Sequence, residues 1–309
     1  MNSEKYLFSV VIPVHNKGFF LDEAIESVLS QSYKDFEIII VDDASTDNSS
    51  EIIKKYEKYN NVRTYRRSTP GPGGYAARNF GVKEAGAKWV CFCDADDYLE
   101  PCHLEELKNI ITFDSQVDFV SCSFYKEGVS GRVRQKANMK SGVKTRLEAL
   151  KSLSDADFMH MNSVAINRDY FKGLGGFPEG RFRMGGDVYF WFKCVLNSKK
   201  IGYCDLPTST WRCHSSEIAS NSANLVGVNP VALLRRDEYS LNDKELFFFK
   251  KCVNKRVLSW IYLKSKGGVA FTPDLKYLSF RDMSPSDWFR LIYVLLRSVF
   301  DTSRKILKV

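Results

Sequence analysis

The sequence lacks any apolar run long enough to cross a bilayer. A transmembrane helix needs about 18 or more consecutive apolar residues, and polar or charged side chains interrupt every apolar stretch well before that length. The N-terminal residues lead straight into a strand-like segment, without the basic and apolar regions of a secretory signal. We therefore expect a protein with no membrane-spanning segment and no signal peptide.

Paired cysteine motifs are also missing. The eight cysteines are scattered, with neither zinc-ligand spacing nor a Cys-x-x-Cys pair. Several lie inside apolar runs, where a thiol behaves as a small hydrophobic group. This usage is typical of a reducing compartment, and we expect a cytoplasmic protein.

A basic charge spread over the whole chain is missing too, because the net charge of +8 is confined to one region. Residues 1–242 contain 31 Lys and Arg and 31 Asp and Glu, whereas residues 243–309 contain 14 and 6. This distribution argues against a nucleic-acid partner and favours a local acidic one. Anionic membrane headgroups on the inner face of the membrane are the first candidate.

Apolar strand-like runs alternate with helical periodicity four times in the first hundred residues. The runs cover 9–14, 36–41, 62–65 and 89–93, a pattern that predicts a doubly wound, mostly parallel α/β sheet. Ligands bind such sheets beyond the carboxyl ends of the strands. Polar residues follow these ends and should meet on one rim: His15, Asn16, Asp42, Asp43 and Asp94 to Asp97.

Local patterns predict further elements. Strands are expected over 117–125 and 158–166, with a loop or exposed hairpin over 126–144. Gly185-Gly186 should open a helix with Asp187 in its first turn. Asn48 and Glu51 predict a capping box, and His103 is expected on a helix surface.

Three carboxylates follow the apolar run that ends at Cys93: Asp94, Asp96 and Asp97. Carboxylates this close repel one another unless a cation lies between them. Mg²⁺ and Mn²⁺ favour such oxygen ligands and often share them with a substrate phosphate. The alternative is a solvated acidic turn that caps the next helix, which would start near Glu100-Pro101.

Taken together, several motifs resemble those of the family 2 glycosyltransferases, inverting enzymes with the GT-A fold. The resemblance covers about residues 7–220, and its motifs occur in the family's order: 8–16, 40–47, 74–79 followed by Gly81, 93–97, 175–177, 186–187 and 211–214. It implies a GT-A domain over 1–225, with a nucleotide-sugar half at about 1–100 and an acceptor half at about 101–225. A helical, basic extension would occupy 226–309.

The resemblance implies roles for individual residues. Those assigned to nucleotide-sugar binding are Pro13, His15, Asn16, Asp43, Gly74, Arg78 and Asp94. Asp43 would accept a hydrogen bond from the uracil ring, and His15 stands where the family more often has Tyr. Asp96 and His214 would hold Mn²⁺ or Mg²⁺, while Asp97 would cap a helix. The alternatives are a turn or helix cap for Asp43 and an exposed loop for His214.

Asp187 matches the position of the family's general base, although Gly186 replaces the acid that usually precedes it. A carboxylate in a cleft is suited to deprotonating an acceptor hydroxyl. The alternative is that Asp187 only stabilises a helix N-terminus. For Trp191, one turn further on, core packing is favoured over a role as an acceptor platform.

The resemblance implies transfer of a sugar from a nucleotide-sugar donor, expected to be a UDP-sugar, to a glycan or polyprenol-linked acceptor. The processive members carry a Gln-x-x-Arg-Trp motif and transmembrane helices, which this chain lacks, so we expect one sugar per encounter. The alternatives are a nucleotidyltransferase, which would need a Gly-rich basic loop after the first strand, and a catalytically silent binding or scaffold protein.

The last apolar segment, 285–300, is amphipathic and too short to span a membrane. Its apolar side could lie in a membrane interface or pack on the catalytic domain or on a second subunit in a homodimer. Amphipathic helices usually face a core, and packing is therefore the favoured interpretation.

Overall fold

The computed structural model describes residues 5–213 and 225–306, and of Arg236 and residues 299–306 it describes only the backbone. The strands are β1 Phe8–Val14, β2 Phe36–Asp43, β3 Val62–Arg67, β4 Trp89–Phe92, β5 Tyr98–Leu99, β6 Phe119–Gly128, β7 Gly131–Arg134, β8 Gly142–Lys144, β9 Val164–Asn167 and β10 Ile201–Arg212. The helices are α1 Gly18–Leu29, α2 Ser49–Tyr56, α3 Tyr75–Glu84, α4 His103–Phe113, α5 Arg146–Asp155, α6 Arg168–Gly173, α7 Gly186–Asn197, α8 Asp243–Lys266 and α9 Pro285–Ile306.

One sheet organises the chain, in the order β3-β2-β1-β4-β9-β6-β10-β5. Strands β1 to β4 are mutually parallel where they pair, so their carboxyl ends share one rim. Strand β9 runs antiparallel to both β4 and β6, and it therefore begins at that same rim. The segment that precedes β9 is brought to the rim by this reversal.

Side chains alternate between the two faces of the sheet, as the two-residue period of a strand requires. Val10 and Ile12 belong to the core beneath α1, α2 and α4, whereas Val11 belongs to the core on the other face, with α3, α5 and α7. A Cβ on Gly81 would lie 2.3 Å from Val11 Cγ1. Glycine at this position therefore lets α3 pack directly on β1.

Several local expectations need correction. Asn48 is the N-cap of α2 but makes no side-chain capping bond. Helix α4 starts at His103 rather than near Glu100, and His103 is fully buried, with Nδ1 2.7 Å from Thr208 Oγ1. Only the end of the expected strand over 158–166 is extended, since a 3₁₀ turn occupies Met161–Ser163. Of the loop or exposed hairpin expected over 126–144, a hairpin is present between β6 and β7 and ends at Arg134, whereas β8 pairs with β10.

Helices α8 and α9 follow the sheet. The first half of α8 packs on the sheet and its helices, because Phe249 and Cys252 belong to the same core as α5 and α7, and Glu245 forms an ion pair with Arg146. Its second half forms a separate core with α9. The division at residue 225/226 stays a prediction. Within the described residues, none of the helices is both long and apolar enough to cross a membrane.

Candidate active site

A cleft of about 390 Å³ opens at the rim where the parallel strands end. Eight of the ten residues assigned to the site line it: Pro13, His15, Asp43, Gly74, Arg78, Asp94, Asp96 and Asp187. Asn16 is not in the lining; its side-chain oxygen accepts from the N–H of Thr46 at 2.7 Å. His214 lies outside the described residues.

Asp43 ends β2 and lies at one side of the cleft, almost fully buried. Its carboxylate forms an ion pair with Arg67 and accepts from the N–H of Gly71 at 2.9 Å. The Nδ1 atom of His15 lies 2.7 Å from the carbonyl oxygen of Asp43. The neighbouring Asp42 has a structural role, since its carboxylate accepts hydrogen bonds from the N–H of Ser45 and the hydroxyl of Ser50.

The loop that contains Gly73 and Gly74, called the glycine loop, forms the next part of the cleft lining. Gly73 and Gly74 both have φ of 68°, a left-handed conformation that favours glycine. Arg78, one turn into α3, donates to the carbonyl of Gly73 at 2.9 Å and forms an ion pair with Asp94. Its Nε is buried without a hydrogen-bond partner among the described residues. The loop and Arg78 thus present a cation beside the first acid of the cluster.

The three carboxylates of the acidic cluster have different surroundings. Asp94 pairs with Arg78, and Asp96 pairs with Lys17, whose Nζ lies 2.9 Å from Asp96 Oδ2. Each of these two carboxylates therefore faces the cleft beside a cation of the chain itself. The sequence did not indicate Lys17 as a site residue.

Asp97 does not cap a helix, which corrects the expectation. Its carboxylate is buried and accepts from the N–H of Arg212 at 2.7 Å and from Asn162 Nδ2 at 2.6 Å. Burial raises the pKa of Asp97 well above its ordinary value, and the charges of Asp96 and Asp94 add to this effect. Asp97 joins the end of β10 to the acidic turn.

Asp94 and Asp96 fit a divalent cation that is shared with a substrate. Across residues 5–213 and 225–306, no three His, Cys, Asp or Glu side chains form a group that could hold a metal ion by themselves. Mg²⁺ commonly uses only one or two carboxylates together with substrate phosphates. The two carboxylates in the cleft meet that smaller requirement.

Asp187 lies in the first turn of α7, as expected, and its carboxylate lines the cleft. Burial raises the pKa of Asp187 above its ordinary value; the Val188 N–H and the Arg78 guanidinium oppose this shift, and the charge of Asp94 adds to it. The Gly186 N–H donates to the Tyr75 hydroxyl at 2.8 Å. Because Tyr75 begins α3, this bond fixes the start of α7 against the glycine loop. Trp191 packs in the core with Phe92 and Phe177 and is absent from the cleft lining. Core packing was the interpretation that the sequence favoured for this residue.

Sequence reasoning assigned no role to three further side chains of the lining, although one of them, Trp211, belongs to the motif at 211–214: His160, Arg183 and Trp211. The rings of His160 and Trp211 stack with centroids 4.9 Å apart, and His160 Nδ1 is buried without a partner among the described residues. Burial lowers the pKa of His160 to about 3, with the charge of Lys126 adding to the effect. The missing signal was the antiparallel direction of β9, which brings residue 160 to the rim.

The profile of glycosyl transferase family 2 matches residues 9–175, more than half of the chain. The protein therefore belongs to glycosyl transferase family 2, as the motifs predicted. This match covers the acidic cluster and the glycine loop and ends before Asp187.

The relatives are longer proteins. An uncharacterized glycosyltransferase of Rickettsia conorii is 29% identical over 246 residues, which are 78% of this chain and 38% of that protein. The minor teichoic acid biosynthesis protein GgaB of Bacillus subtilis is 32% identical over 207 residues, 65% of this chain and 22% of that protein. The chain thus spans less than two fifths of the length of these curated relatives.

Solved structures show the fold. Residues 1–349 of TarS from Staphylococcus aureus, in complex with UDP-GlcNAc, match with a TM-score of 0.66 at 20% identity, covering 89% of this chain and 82% of that one. The same fragment in complex with UDP matches with a TM-score of 0.66 at 19% identity, covering 96% and 91%. The predicted GT-A fold is confirmed by this likeness.

Proposed function

We propose that the protein transfers a single sugar, with inversion, from a nucleotide-sugar donor to a hydroxyl of a glycan or lipid-linked acceptor. The donor is proposed to be a UDP-sugar, and the setting to be surface polysaccharide or glycoconjugate synthesis. The observation that carries the proposal is one cleft lined both by the acidic pair Asp94 and Asp96 and by a carboxylate of raised pKa, Asp187.

Asp187 is the proposed general base. Its carboxylate takes the proton of the acceptor hydroxyl while the hydroxyl oxygen bonds to the anomeric carbon. The bond from that carbon to the diphosphate oxygen breaks, and the nucleoside diphosphate leaves with the electron pair. A base works best when its pKa lies near the operating pH, and the raised pKa of Asp187 is in that direction. The Tyr75–Gly186 hydrogen bond supports the base by fixing the first turn of α7.

The part of the cleft lining formed by residues before Asp97, called the donor wall, is proposed to bind the donor. Asp43 and His15 would receive the nucleoside, with Pro13 beside them. Arg78 and Lys17 are cations at the acidic pair and would neutralise part of the diphosphate charge. A UDP donor is supported by the fold likeness to TarS, which has been solved with UDP and with UDP-GlcNAc.

A divalent cation is proposed as cofactor, held by Asp94 and Asp96 together with the donor. When bound, Mn²⁺ or Mg²⁺ would stabilise the negative charge of the leaving group. His214 remains a proposed third ligand. For the C-terminal helices, the proposed partners are a membrane surface or a second copy of the chain.

The function is tested by UDP release from a panel of UDP-sugars, with and without EDTA, in the full chain and in Asp187→Asn. We expect metal-dependent release that falls by at least about 100-fold in the variant, the usual contribution of a general base. UDP should still raise the melting temperature of the variant, because the donor wall is unchanged.

Each other outcome has a distinct meaning. Equal activity in Asp187→Asn would exclude this residue as the base, and release indifferent to EDTA would exclude the metal assignment. Binding of UDP with no transfer to any acceptor would favour the silent binding protein. Pyrophosphate release from a nucleoside triphosphate would favour the nucleotidyltransferase.

A further inference from the structure

Helix α9 buries a narrow strip of apolar residues against α8. A wider apolar surface on its other side is exposed. Leu291 and Val294 are buried against α8. On the other side, the exposed fractions are 42% for Trp288, 51% for Ile292 and 56% for Leu296. These residues are spaced four apart, so they form one line along the helix. Phe289 and Leu295 flank this line and are exposed as well; the five residues are called the α9 stripe.

A groove adjoins the α9 stripe. It lies between α8 and α9, has a volume of about 450 Å³ and is lined mainly by Leu258, Tyr262, Leu263, Phe289, Arg290 and Tyr293. Arg290 is an exposed cation at this groove. Lys266, also exposed, lies over the ring of Tyr262, with Nζ 4.9 Å from the centroid. An apolar surface is thus bordered by positive charge.

We propose that the surface formed by the α9 stripe and this groove docks on a lipid bilayer with anionic headgroups. An interfacial helix lies with its apolar side among the acyl chains and its basic side chains at the headgroups. The α9 stripe supplies the apolar side, and Arg290 and Lys266 supply the charges. The helix has 22 residues and would lie along the membrane for about 33 Å.

Charge favours lipid over a second copy of the chain. Arg290 and Lys266 lie at this surface, and a symmetric contact between two copies would bring these like charges together. Each basic residue near an anionic membrane instead gains attraction. Trp288 and Tyr293 also suit this surface, because their rings are apolar at one end and polar at the other.

The test is co-sedimentation of the full chain with vesicles of phosphatidylcholine alone and of phosphatidylcholine with about 30% phosphatidylglycerol. We expect binding to the anionic vesicles that falls with added salt, and little binding to the neutral ones. Ile292→Glu with Leu296→Glu should weaken the binding by about tenfold or more. The matched control, Phe113→Glu with Val133→Glu, places the same charges on exposed apolar residues elsewhere and should bind like the unmodified chain.

Two results would overturn the proposal. One is equal vesicle binding by the chain with Glu at 292 and 296. The other is no binding of the unmodified chain to the anionic vesicles; a concentration-dependent dimer that the same two substitutions dissociate would then show that the surface binds a second copy. UDP release by the unmodified chain and by the variants is measured in parallel. Because residues 292 and 296 are not part of the cleft lining, that release should be equal, which separates failure of this proposal from failure of the proposed function.

Discussion

Lys17 Nζ lies 2.9 Å from Asp96 Oδ2, so a cation of the chain itself lies beside one of the two carboxylates proposed to hold the metal ion. The ion pair is largely shielded from solvent, because the two side chains are only 25% and 15% exposed. A cation in this place can attract a diphosphate even before a metal ion arrives.

Replacing Lys17 by Met should weaken binding of UDP in the presence of EDTA by about tenfold, the equivalent of one charge-assisted hydrogen bond. Isothermal titration with and without Mn²⁺ measures the effect. The loss should be smaller with Mn²⁺, since the ion then supplies positive charge. Lys54→Met, at an exposed position of α2, is the control. Unchanged affinity without metal would show that Lys17 serves only Asp96.

The activity should depend on the protonation of Asp187. Because burial raises its pKa, the carboxylate becomes protonated at a higher pH than an ordinary aspartate and then cannot accept a proton. We expect kcat/KM to fall with a slope of about one as the pH decreases through this raised pKa. This fall of kcat/KM at low pH should be absent from the residual activity of Asp187→Asn. A fall that persists in that variant would belong to another group.

Asp97 should matter for stability and Asp96 for ligand binding. Asp97→Ala leaves the N–H of Arg212 and the amide of Asn162 without their acceptor, which should cost about 2–4 kcal/mol of unfolding free energy. Chemical denaturation measures this loss. Asp96→Ala should change the unfolding free energy by less than about 1 kcal/mol and should lower the affinity for UDP with Mn²⁺. The reverse pattern would exchange the two roles.

Tyr75 is a positioning residue for the base. Tyr75→Phe removes the acceptor of the Gly186 N–H and should lower kcat by about tenfold through displacement of α7. The KM for the donor should change little, because Asp43 and Arg78 are untouched. Tyr189→Phe is the control: Tyr189 lies on α7, and its hydroxyl contacts only Arg181 among the described hydrogen bonds. A rise in donor KM with unchanged kcat would contradict the positioning role.

His160 should act as a neutral group. Its pKa of about 3 keeps the imidazole uncharged at every ordinary assay pH. His160→Phe preserves a ring for stacking on Trp211 but removes both ring nitrogens. It should raise the KM of either the donor or the acceptor by about fivefold to tenfold. The pH profile should remain unchanged between pH 5 and 9. A shifted profile would show that His160 titrates in the working range.

The sequence patterns predicted the fold of the first hundred residues well, because their strands are apolar on both faces and end in polar residues. The rim residues Asp43, Arg78, Asp94 and Asp96 could be identified from motifs alone. The rest of the chain was harder to predict. The start of β9 follows a 3₁₀ turn, and its antiparallel direction depends on pairing with β4 and β6, which no local pattern encodes.

Predictions for individual side chains were wrong for a similar reason. His103 looks like a surface residue on periodicity, yet the helix start and strand β10 enclose it and Thr208 supplies its partner. Asp97 resembles its neighbours in sequence but points toward β10, where two donors bind it. For α9, the periodicity predicted an amphipathic helix correctly. It did not predict that the packed side would be the narrow one, which depends on the position of α8.

The reversal at β9 has a consequence for how specificity can change. The wall that contains Asp43, Arg78 and Asp94 is encoded before residue 97, whereas His160 and Met161 reach the cleft just ahead of a strand of only four residues. Exchanging this short segment between relatives would alter the second wall without disturbing the parallel strands that hold the first. The fold therefore separates two parts of the cleft lining along the chain, and chimeras joined between residues 100 and 160 would exchange one part while keeping the other.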